Sequence, residues 1–68
     1  MYKVDAKGLS CPEPVILTMN AVKLGHKEIS VELSDPVPVE NVTRYAKSQG
    51  FTVKETKEND ITTLLLTK

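Results

Sequence analysis

Leu9-Ser10-Cys11-Pro12-Glu13-Pro14-Val15 is echoed downstream by Leu33-Ser34-Asp35-Pro36-Val37-Pro38-Val39, with Leu, Ser, both prolines and Val shared. Each stretch follows an alternating apolar segment and precedes a helical one. Each therefore reads as a strand-to-helix turn. Two accounts of the echo stand: an internal duplication, or two turns that converged on similar punctuation. Both give Cys11 and Asp35 equivalent places at neighbouring helix starts.

The rest of the chain fills in around these turns. Met1 to Ala6 reads as a short strand, with Tyr2, Val4 and Ala6 alternating against Lys3 and Asp5, and Gly8 breaks it. Cys11 to Leu24 reads as a helix, with Val15, Met19 and Val22 recurring at i, i+4, i+7 and Gly25 as its C′ residue. Glu28 to Leu33 is a second strand with Ile29, Val31 and Leu33 on one face. A second helix runs from about Pro38 to Gln49, with Val39, Val42 and Ala46 inward and Gly50 as its stop. Phe51 to Thr56 alternates again, Glu58-Asn59-Asp60 is a polar turn, and Ile61 to Thr67 is the last strand. Leu64-Leu65-Leu66 is apolar on both faces, which places that strand centrally. The order βαβαββ predicts an α/β two-layer sandwich, a single domain over residues 1–68 with both helices on one face of a mixed four-stranded sheet. If the first two strands are parallel, both helices start at the sheet edge where open α/β sheets bind ligands.

Composition excludes several function classes. The chain has 68 residues, nine Lys+Arg against nine Asp+Glu, one cysteine, one histidine and no tryptophan. One cysteine forms no intrachain disulfide and no thiolate zinc site. A net charge of zero argues against direct nucleic-acid or anionic-membrane binding. A free thiol suits a reducing cytoplasm, and neither a signal-peptide pattern nor a long apolar run is present.

Cys11-Pro12-Glu13-Pro14 is the segment that carries chemistry. Proline inside a helix costs roughly 3 kcal/mol, except in the first turn, where its missing N–H has no helical partner. With Cys11 as N-cap, Pro12 and Pro14 fall at N1 and N3. With Ser10 as N-cap, Pro14 falls at N4 and a bond is lost, so the first register is preferred. Sulfur caps poorly, so a cysteine here points to reactivity. The helix dipole favours its thiolate, and the nearby Glu13 charge tempers that effect. A hydrolase pairing with His26 fails, because fifteen residues of mostly helical chain separate the two by roughly 20 Å. Dithiol redox chemistry fails for want of a second cysteine. A lone activated thiol can still accept and pass on a group by exchange at sulfur.

Gly8-Leu9-Ser10-Cys11-Pro12-Glu13-Pro14-Val15 resembles the signature of the TusA/SirA/YedF family of small sulfur carriers. Val4-Asp5-Ala6 fits the family's opening strand, and Asp35-Pro36 its step into the second helix. Glu40 to Gly50 is most similar to the YedF branch. The resemblance spans nearly the whole chain and implies the same βαβαββ fold, with the last strand antiparallel inside the sheet. It implies that Cys11 accepts sulfur as a persulfide from a cysteine desulfurase or similar donor and relays it to an acceptor thiol protein. Family pathways include tRNA thiolation, sulfur oxidation, molybdoenzyme maturation and selenium handling. No metal or organic cofactor is implied. Departures from the family pattern are Ser34 before Asp35, the Leu66-Thr67-Lys68 end, and Leu17 and Met19 where basic residues are common.

Other residues carry alternatives. Leu17, Ala21 and Leu24 form a second apolar stripe, either a docking surface beside Cys11 or a contact with the second helix. Leu17 and Met19 are candidate partner contacts. Asp35 either caps the second helix or borders the site. Arg44 is solvated or contacts an anion, His26 is a surface residue at a helix end, and Tyr2 and Tyr45 pack at the core's edge. The rival functions are a regulatory, protein-binding module that uses the motif as scaffold, and a selenium carrier.

Overall fold

The computed structural model describes residues 1–9, 13–34 and 36–68, with Pro36 and Val37 described through the backbone only. The elements are β1 (Tyr2–Asp5), α1 (Glu13–Lys23), β2 (Glu28–Leu33), α2 (Pro36–Ser48), β3 (Thr52–Glu58) and β4 (Ile61–Thr67). The sheet order is β1-β2-β4-β3. β1 and β2 are parallel, while β4 runs antiparallel to both of its neighbours, β2 and β3. This is the expected two-layer architecture, with the leucine-rich β4 in the interior of the sheet.

Cross-strand rows explain why the helices cover one face. Val4, Val31 and Leu64 lie in register, as do Ile29 and Leu66, and all five are buried. Neighbouring residues on the opposite face, such as Lys3, Ser30 and Lys54, are polar. That alternation leaves one face dry and one wet. Leu65 lies on the wet face, half-buried, so the apolar run is covered on the helix side only. α1 rests on β1 and β2, and α2 reaches β2, β4 and β3. The core joins Val42 and Ala46 of α2 and Ala21 of α1 to these sheet residues and to Phe51.

α1 is rotated from the expected orientation. Its buried line is Pro14, Thr18 and Ala21, and Val15, Leu17 and Val22 flank it, partly buried against the core. Met19, expected inward, is half-buried, and Ala21, read as part of a stripe that either docks a partner or meets the second helix, is buried. The cause is steric and polar together. Small residues let the helix approach the sheet closely, and the Thr18 hydroxyl donates to the Pro14 carbonyl oxygen at 2.9 Å, so burying it leaves no unsatisfied donor.

Boundaries also move. β1 covers Tyr2–Asp5 rather than Met1 to Ala6, and Tyr2 is exposed rather than inward. α2 begins at Pro36, two residues before the expected Pro38, because the first turn tolerates both prolines. β3 runs Thr52–Glu58 rather than Phe51 to Thr56. Its hairpin turn is Asn59-Asp60 alone, with φ of +51° and +64°, the type I′ pattern. Phe51 instead belongs to the end of α2. Gly50 N–H donates to Lys47 and Phe51 N–H to Ala46 at 3.1 and 3.0 Å, a Schellman motif. α1 ends the same way, with Gly25 donating to Val22 and His26 to Ala21 at 3.0 and 3.4 Å. Among the described residues, no helix is long and apolar enough to cross a membrane.

Candidate functional site

Parallel pairing of β1 with β2 brings their C-terminal ends side by side, so the chain leaves the same sheet edge twice to enter a helix. After β1, Ala6 donates to the Glu32 carbonyl oxygen at 2.9 Å, extending the ladder by one residue. The chain then turns: Leu9 N–H donates to the Ala6 carbonyl at 3.2 Å. Gly8 sits at the third turn position with φ +78°, the place where a type II turn favours glycine. Lys7 N–H donates to Asp5 Oδ1 at 3.1 Å, and Leu9 packs against the core.

One hydrogen bond joins the two exits. Gly8 N–H donates to Ser34 Oγ at 2.8 Å, tying the loop before α1 to the residue that follows β2. A Lys7–Glu32 ion pair at 4.0 Å lies beside it, too exposed to add much. Sequence reading missed this tether. Its only signal was the echo, which paired Ser34 with Ser10 rather than with Gly8.

Of the predicted site residues, Cys11, Pro12 and Asp35 lie outside the described residues, as does Ser10, the alternative N-cap. Glu13 is exposed as the first described residue of α1, and Pro14 is buried beneath it. Leu17 packs partly against the core, and Met19 is half-buried on the helix flank. The apolar side chain that α1 turns outward near its start is Ile16, 48% exposed. Leu24, at the far end, is 69% exposed.

The remaining candidates lie elsewhere. His26 follows the far end of α1, whose eleven residues span roughly 16 Å. Its ring stacks on Tyr2 with centroids 4.0 Å apart, so Tyr2 is a stacking partner as well as an edge residue. Arg44 is paired with Glu40 at 3.0 Å, one helical turn away. Both line an open groove of about 590 Å³ between α2 and β3, with Lys47, Glu55, Lys57 and Thr62 among its walls.

Comparison with known proteins agrees with this architecture. The family model described as "Sulfurtransferase TusA" matches residues 2–68. The crystal structure of a SirA-like protein from Desulfitobacterium hafniense superposes with a TM-score of 0.85 at 26% sequence identity, covering 97% of this chain and 95% of that one. No curated protein sequence matches the chain.

Proposed function

We propose how this chain, which belongs to the TusA sulfurtransferase family, carries sulfur: as a persulfide on Cys11. Family membership supplies the coarse role, a sulfur carrier or sulfurtransferase that works between donor and acceptor proteins. The finer reading rests on one observation. Two parallel strands deliver two helix starts to one sheet edge, and Cys11 precedes the first described residue of α1 by two positions. A helix start offers free N–H groups and a positive dipole end, which favour thiolate and an anionic persulfide. α2 supports the Pro-x-Pro reading, since Pro36 and Pro38 stand first and third in that helix.

The transfer balances without an oxidant. The Cys11 thiolate attacks the outer sulfur of a donor persulfide, the donor's S–S bond breaks, and the donor thiolate leaves. An acceptor thiolate then attacks the outer sulfur on Cys11, and Cys11 leaves as thiolate. Protons exchange with water. Ile16, exposed in the first turns of α1, and Met19 on its flank supply an apolar contact for the donor or acceptor close to the motif. A cysteine desulfurase is the proposed donor, a thiol protein the acceptor, and the cytoplasm the compartment.

The test is sulfur flow. Incubation with a cysteine desulfurase and radiolabelled cysteine should label the wild-type chain, and a thiol reductant should release the label. Cys11→Ser should stay unlabelled while remaining folded. A wild-type chain that takes no label, or a Cys11→Ser chain that labels equally, contradicts the proposal. If a partner captured by the wild-type chain is held equally by Cys11→Ser and no sulfur moves, the chain is a binding module instead.

A further inference from the structure

Strand β3 is the outermost strand beyond β4, and among the described residues no strand pairs with its other edge. It reads Thr52-Val53-Lys54-Glu55-Thr56-Lys57-Glu58 and is exposed along its length, apart from half-buried Val53. Edge strands commonly carry charge that discourages pairing with a second chain. A run of one sign achieves this. β3 instead carries both signs, arranged as Lys, Glu, Thr, Lys, Glu about Thr56. Among the described residues, none of these four charged side chains is in an ion pair within the chain.

We propose that β3 pairs antiparallel with β3 of a second copy of this chain, about a two-fold axis through Thr56. In that register Lys54 faces the second copy's Glu58, and Glu55 faces its Lys57. Directly opposed residues of an antiparallel pair share a face, so each Lys meets a Glu. Two-fold axes on Lys54, Glu55, Lys57 or Glu58 would instead set that residue against its own copy. Thr56 is the centre within the charged segment that avoids a like-charge pair.

The backbone permits this register. Glu58 and Ile61 flank the two-residue Asn59-Asp60 turn and exchange both of their hydrogen bonds. Alternation then turns the N–H and C=O of Glu55 and Lys57 toward the free edge. Across the axis, Glu55 of one copy meets Lys57 of the other, so outward-facing groups meet outward-facing groups. Glu55 and Lys57 line the open groove between β3 and α2, so both reach solvent on the helix side of the sheet. Because the strands run antiparallel, the two edges at which helices begin point in opposite directions, and both stay open to sulfur donors and acceptors.

Sedimentation velocity on the full chain tests this, with a thiol reductant present so that Cys11 forms no interchain disulfide. The average mass should climb toward that of a dimer with protein concentration at low salt, and fall back as salt is added. Lys57→Glu and Glu55→Lys should each remain monomeric. The double swap E55K/K57E should restore association, since every pair is again opposite in sign. Lys54→Glu, Glu58→Lys and their combination supply the same cycle on the other face of the sheet. Circular dichroism confirms folding of each variant. A wild-type monomer at every concentration, single variants that associate like wild type, or folded double swaps that stay monomeric would each overturn the proposal.

Discussion

Gly8 shows how one residue conditions the edge where the helices begin. Its φ of +78° lies in the region that side chains resist, yet a Cβ there would meet no atom within 4 Å. Gly8→Ala should therefore lose about 1–2 kcal/mol from backbone conformation alone. A urea unfolding curve with an unchanged slope and a lower midpoint would report it. The glycine was legible in the sequence as a strand breaker. Its hydrogen bond to Ser34 was not, because the partners lie 26 residues apart and only parallel pairing brings them together. Cys11 was singled out from sequence alone, between a glycine-broken strand and a Pro-x-Pro pair, and it lies outside the described residues.

The helices and the hairpin divide along a physical line. α2 alternates small apolar and charged residues, so its inward line of Val42 and Ala46 could be read directly. α1 is apolar nearly all round: Val15, Ile16, Leu17, Met19, Ala21 and Val22. Hydropathy cannot orient such a helix. Close packing does, by choosing the small residues Thr18 and Ala21 for the contact line, which leaves Ile16 outward. Ile16→Glu should thus change stability by less than about 0.5 kcal/mol. It should also raise the donor concentration needed for half-maximal sulfur loading, a change that steady-state kinetics would read. In the hairpin, the turn residues Asn59 and Asp60 both hold positive φ. Asp60→Gly relieves the second of these and should raise stability by about 0.5–1 kcal/mol, seen as a higher melting temperature.

At the scale of the whole molecule, the sheet grades from apolar to charged. The row Val4, Val31, Leu64 ends at Glu55, and the row Leu33, Thr62 ends at Lys57. The leucine run of β4 announced its interior place, whereas the edge position of charged β3 emerged only from the sheet order. A domain of this size holds only about 0.05–0.15 kcal/mol of stability per residue. Leu64, fully buried in the central strand, bears a large share of it. Leu64→Ala should cost about 2–5 kcal/mol and leave much of the chain unfolded by calorimetry at physiological temperature. The two-layer frame carries both helix starts at one end of the parallel β1–β2 pair, where the relay of sulfur is proposed. Peptide mass spectrometry after loading by a cysteine desulfurase and cysteine tests it most directly. The peptide containing Cys11 should gain about 32 Da, one sulfur atom, and lose it on reduction. An unshifted Cys11 peptide from a folded, fully reduced chain, under conditions in which the desulfurase is itself persulfidated, would contradict the account.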